Sequence, residues 1–122
     1  MSDPMGRSEL ENRLRRAGEY HRREPFDLLM IGECSFGIDL SNDVMSEYEE
    51  GELEDIAGRV NEAEGILVEY SGVGCVRRLL EVVLPQLNGL LDTNHGEFVS
   101  YPEVLSRFKS EPDWDWSVPS SQ

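Results

Sequence analysis

Residues 66–91 read Ile-Leu-Val-Glu-Tyr-Ser-Gly-Val-Gly-Cys-Val-Arg-Arg-Leu-Leu-Glu-Val-Val-Leu-Pro-Gln-Leu-Asn-Gly-Leu-Leu, and this stretch decides the fold. Ile66–Tyr70 is rich in β-branched and aromatic residues, which suit a half-buried strand. Ser71–Gly74 has turn composition. Val73, Val76, Leu79, Leu80, Val83, Leu84 and Leu87 then recur at helical spacing, the strongest such pattern in the chain. Pro85 lacks an amide proton and clashes with the preceding turn, so the helix bends or ends there. A strand delivering the chain into an amphipathic helix needs a sheet for that helix to cover.

Working outward, Leu90–Asp92 and Glu97–Ser100 flank Thr93-Asn94-His95-Gly96, a hairpin by composition. Tyr101-Pro102 opens a last short helix through Val104, Leu105 and Phe108, since proline suits the first helical turn. On the other side, Phe36, Ile38 and Leu40 alternate as in a strand. Phe26–Ile31 is an apolar run too short to separate strand from helix by periodicity. Val44–Glu64 reads as a helix interrupted at Gly51, with Leu53, Ile56, Val60 and Ala63 in one stripe. Near the start, Ser8 with Glu11 three residues on is a capping box for a helix over about residues 9–17. The order supports an α+β fold: one compact domain over residues 1–122, a small sheet packed against several helices. Residues 1–7 read as a frayed start and 110–122 as a tail.

A chain of 122 residues can bury a stable core unaided. Its longest apolar runs are four residues, such as Leu28–Ile31, far short of a membrane span. No basic start followed by an apolar segment marks a secretory signal. Cys34 and Cys75 form no metal or redox spacing and read as free, buried thiols. That expectation places the chain in a reducing cytoplasm.

Charge says most about partners. Eleven basic residues face 25 acidic ones, a net charge of -14. Residues 1–24 carry six arginines against five acids, while ten acids between Asp39 and Glu64 meet only Arg59. Such a surface repels nucleic acid and anionic membranes and attracts basic proteins. Helical phase turns Glu54, Asp55 and Glu62 opposite the apolar stripe, and Glu47 and Glu50 extend the patch. Tyr48 lies among them, and tyrosine is a frequent interface hot spot. Glu47, Tyr48, Glu50, Glu54, Asp55 and Glu62 are therefore the expected partner-binding residues.

Other constellations are weaker. Ser71–Gly74 before a helix has the geometry of a phosphate cradle, but the glycine spacing fits no nucleotide fingerprint, and a tight turn suffices. Asp92, His95 and Glu97 would be the residues of a small ligand-binding or enzymatic domain, yet a hairpin spreads them over both faces. With two histidines in the chain, no zinc site is expected. No metal, cofactor or catalytic residue is expected, and the chain does not read as an enzyme. Trp114 and Trp116 in the Asp-Trp-Asp-Trp tail either fold back on the core or meet a partner, with folding back preferred.

Gly65 to Trp116 resembles small immunity proteins of bacterial polymorphic toxin systems. The resemblance rests on Glu64-Gly-Ile-Leu-Val-Glu-Tyr-Ser71, the leucine-rich helix Val76–Leu91, Asp92-Thr-Asn-His-Gly-Glu97 and the tryptophan-rich tail. It covers about half the chain and contains no chemical motif; the arginine-rich N-terminal segment lies outside it. It implies an acidic α/β body, barstar-like in arrangement, whose carboxylate-bearing helix plugs a basic toxin site.

Overall fold

The computed structural model describes residues 1–93 and 97–115. Helix α1 (Pro4–Arg16) leads to strands β1 (Glu19–His21), β2 (Asp27–Ile31) and β3 (Cys34–Asp39). A 3-10 turn (Asp43–Glu47) and helix α2 (Glu50–Arg59) follow. Strand β4 (Leu67–Tyr70), helix α3 (Val73–Val83), strands β5 (Leu90–Asp92) and β6 (Phe98–Ser100) and helix α4 (Tyr101–Ser110) complete the chain. The α+β expectation holds.

β1 to β4 form an antiparallel sheet in sequence order, and β5 and β6 form a separate hairpin. Register places Phe36 opposite Tyr70 and Ile38 opposite Val68. Alternation along β3 then buries Cys34, Phe36 and Ile38 on one face. Helix α3 covers that face with Val76, Leu79, Leu80 and Val83, all buried. It starts where Gly72 takes a positive φ of 89°, open to glycine at no steric cost. It stops at Leu84, immediately before Pro85, as the sequence predicts. Leu10 and Leu14 of α1 and Tyr101, Val104 and Phe108 of α4 close the core.

Three expectations change. Cys34 on β3 and Cys75 on α3 are joined in a disulfide rather than free, since the face of β3 that α3 covers carries Cys34. The bond closes a 41-residue separation, and the argument from free thiols to a reducing compartment falls with it. The N-terminus is built into the fold. Asp3 caps α1 by accepting from the Gly6 amide at 2.7 Å, and Pro4 occupies the first turn, so the helix begins well ahead of Ser8. Ser2 is fully buried and pairs with Glu64 as a β-bridge. Finally, β1 is a strand that three residues of sequence could not announce.

The Trp114 half of the tail folds back. Its ring packs 5.9 Å from Phe108, with the Arg107 guanidinium 4.6 Å above it. Trp116 lies outside the described residues.

Two stability measurements test this core. Leu79→Ala should destabilise by about 2–5 kcal/mol in urea melts, as large-to-small core changes do. The Cys34→Ser/Cys75→Ser double variant should lose about 2–4 kcal/mol, and the oxidised parent should show no thiol titratable by Ellman's reagent after unfolding. Two reactive thiols there would mean the pair is open in solution.

Candidate functional site

The acidic segment folds in two parts. The 3-10 turn carries Glu47 at its end, exposed. Helix α2 is capped by its own acids: the Glu49 amide donates to Glu52 Oε1 at 3.0 Å. Glutamates in the first turn also meet the positive end of the helix dipole. Of its ten residues only Ile56 is buried. At 100° per residue Glu54 lies nearly opposite Ile56, with Glu50 one turn before it on the same side. Asp55 sits on the flank, 4.0 Å from Arg59. Glu50, Glu54 and Asp55 are all exposed, as expected.

Glu62 is not on this face. Val60 turns extended and ends α2 by giving its amide to Ile56 O, so the phase counted through to residue 64 breaks there. Glu62 stands in the following turn with a positive φ of 52°. The apolar stripe is shorter too, and Leu53 is 39% exposed.

Tyr48 is no free hot spot. Its hydroxyl donates to Asp92 Oδ2 at 2.6 Å, 44 residues away. Its ring meets Phe98 edge-on at a centroid distance of 5.8 Å. Asp92 and Phe98 are cross-strand partners in the β5–β6 hairpin, so they share the face that Tyr48 touches. Burial raises the Tyr48 hydroxyl above its ordinary value of 10. The hydrogen bond to Asp92 and the nearby charges of Asp92, Glu52 and Glu47 push the same way. Tyr48 and Asp92 thus clasp the acidic segment to the hairpin. Sequence distance hid this pair, and no local spacing could have found it.

The same pairing separates the residues of the enzymatic alternative. Asp92 faces Tyr48, while Glu97, next to Phe98, is exposed and turns the other way by strand alternation. His95 lies outside the described residues. Ser71–Gly74 is the turn into α3, and among the described residues no atom lies within 4 Å of where a side chain on Gly72 or Gly74 would begin.

Beneath the clasp is a cavity of about 290 Å³. Its floor is α3, through Val76, Leu79, Leu80 and Val83, and its sides are β4 and β5. Tyr48, Asp92 and Thr93 supply polar groups at one part of the wall. The Met1 α-amine is another; it donates to Leu90 O at 2.8 Å and to the Tyr101 hydroxyl at 3.1 Å. Burial pulls that amine from its ordinary 8 to about 5, against the opposing pull of Asp92. At roughly 24 cal/mol per Å³, that much space sealed and dry would cost on the order of 7 kcal/mol.

Tyr48→Phe tests the clasp. Removing one hydrogen bond to a carboxylate at a half-exposed site should destabilise by about 1–2 kcal/mol at pH 7. The folded hydroxyl holds its proton above pH 10, where the unfolded one ionises, so this contribution is full below pH 10 and fades above it. Stability measured from pH 8 to 11 should fall less steeply in Tyr48→Phe than in the parent. Identical slopes would place the hydroxyl in water.

Compared with known proteins, the chain matches no family model, no curated protein and no solved structure.

Proposed function

We propose that this chain is an interaction protein of the immunity type, acting by binding rather than by catalysis. It neutralises a basic toxin domain by presenting the acidic face of α2 and the turn before it. One observation carries this reading: α2 is anchored by Ile56 alone and displays Glu50, Glu54 and Asp55 to solvent, with Arg59 as the single basic residue on the helix. A helix that buries so little contributes little to the core. Its acids are arranged for something outside the molecule.

The chemistry favours a cationic protein surface. Clustered carboxylates raise the rate of encounter with a basic partner and orient it before contact. Nucleic acid and anionic lipid are disfavoured by the same field. No helix among the described residues is long and apolar enough to cross a membrane. Glu47 extends the surface, while Tyr48 and Glu62 leave the predicted set: the first clasps Asp92, and the second lies past the helix end. Cytoplasmic location was argued from free thiols and has lost that support.

The test is charge reversal on the helix. Exposed ion pairs contribute only about 0–1 kcal/mol each, so Glu50→Lys, Glu54→Lys and Asp55→Lys are combined. The partner to use is a basic toxin domain encoded beside this chain. The triple variant should fold, lose protection in cells and bind about 10- to 100-fold more slowly at low salt. For the parent, association should slow as salt shortens the Debye length from about 10 Å to about 3 Å. A folded triple variant that still protects fully would remove α2 from the interface.

A further inference from the structure

The first turn of α3 is poorly secured by its own sequence. It begins after Gly72, which has no side chain to cap the helix, and Gly74 follows inside it. Glycine is among the least favourable residues in a helix. Val76 is the first residue of α3 to be buried. The turn is held to the sheet by the disulfide: Cys75 is the third residue of α3, and Cys34 begins β3 on the face that α3 covers. The two sulfurs differ in access. Cys34 is buried, whereas Cys75 is half-buried. Among the described residues, nothing lies within 4 Å of where a side chain on Gly72 or Gly74 would begin, so the approach to Cys75 along this turn is open. Cys75 also stands where a thiolate is stabilised, at the positive end of a helix with the exposed Arg78 one turn on.

Arg77 connects this turn to α4 and the residues after it. Its guanidinium lies 4.7 Å from the centre of the Phe108 ring and donates to the carbonyls of Phe108 and Pro112. Phe108 in turn packs against Trp114. By helical geometry the Arg77 amide donates to the Val73 carbonyl, inside the turn that the disulfide holds. The bond between Cys34 and Cys75 therefore supports the residue that grips the Phe108–Trp114 segment.

We propose that the Cys34–Cys75 bond is an exchange site for dithiols, entered at Cys75, and that its opening frees Arg77 and loosens the Phe108–Trp114 segment from α3. A thiolate of the dithiol attacks Cys75 Sγ, the S–S bond breaks, and Cys34 leaves with the electron pair and takes a proton from water. The second thiol of the dithiol gives up its proton and closes onto the first, and Cys75 leaves as a thiolate at the helix N-terminus. The protein gains two electrons, and the dithiol is oxidised to its own disulfide. Oxidised, the chain holds the segment against α3. Reduced, it loosens the segment while Leu79, Leu80 and Val83 keep the core packed. This response draws nothing from the α2 face.

The site of entry is read with glutathione, a monothiol that stops at the first step. Brief exposure, acid quenching and mass mapping should place glutathione on the Cys75 peptide and a free thiol on the Cys34 peptide. The reverse labelling would overturn the assignment. Dithiothreitol then stands in for the dithiol, in a Trp116→Phe background that leaves Trp114 the single tryptophan. Opening should proceed in proportion to dithiol and at the same rate in Leu14→Ala, a core variant on another helix. Opening at least about tenfold faster in that variant would route the reaction through global unfolding and overturn the proposal. On reduction, acrylamide should quench Trp114 at least about twofold more strongly, as for a locally opened segment, with far-UV circular dichroism and the amide shifts of β2 and β3 retained. Arg77→Met keeps the aliphatic stem and removes the donors; oxidised, it should show the same quenching as the reduced parent, and reduction should add little. Unfolding of the parent on reduction would make the bond a plain staple. Quenching of Trp114 indifferent to reduction would detach the bond from the segment, and either result sinks the proposal. The α2 triple reversal should leave all of these readings unchanged.

Discussion

Burial of one face of α3 is the constraint on which the structure depends. Val76, Leu79, Leu80 and Val83 each remove an aliphatic side chain from water, worth about 1.5–3 kcal/mol apiece. The four-stranded sheet needs that face to cover Phe36 and Ile38, and α1 and α4 pack on either side. The disulfide between Cys34 and Cys75 fixes the first turn of α3 to the sheet, so helix and strand cannot slide apart. Along α3 a cavity lies between the helix and strands β4 and β5.

Arginine does structural work that its count in the sequence conceals. Arg13 of α1 donates to Val83 O at 3.1 Å and Pro85 O at 2.6 Å, carbonyls at the C-terminal end of α3. A cation there also meets the negative end of the helix dipole. Arg77 stacks over Phe108 at 4.7 Å and donates to Phe108 O, which ties α4 to α3. Arg7 donates to Leu40 O and pairs with Glu11. Arg7 and Arg13 of the basic N-terminal segment are thus spent on the fold. The negative balance of the remainder is left to the surface.

Local order was legible and long-range pairing was not. Helix α3 declared itself because seven apolar residues at helical spacing admit one reading, and Pro85 marked its end. The hairpin and α4 were readable from turn chemistry and from Pro102. At the N-terminus two valid cap signals competed, Asp3-Pro4 and Ser8 with Glu11, and the earlier one prevailed because it adds a turn without disturbing the burial of Leu10 and Leu14. The acidic helix was found but its end was misplaced: hydrophobic phase ran on through Val60 and Ala63 after the backbone had left the helix. Cys34 with Cys75, Tyr48 with Asp92 and Ser2 with Glu64 join residues 41, 44 and 62 positions apart. Such contacts follow from how elements stack, which no window of sequence contains.

The thin attachment of α2 has an evolutionary consequence. Substitutions at Glu50, Glu54 or Asp55 touch no core side chain, so they change what the surface attracts while stability stays with α3 and the sheet. Most mutations are purged because they bring a marginal fold below its threshold. Residues that recognise without supporting escape that filter. If the acidic face binds as proposed, a lineage carrying this fold can re-aim it in single steps, each intermediate still folded.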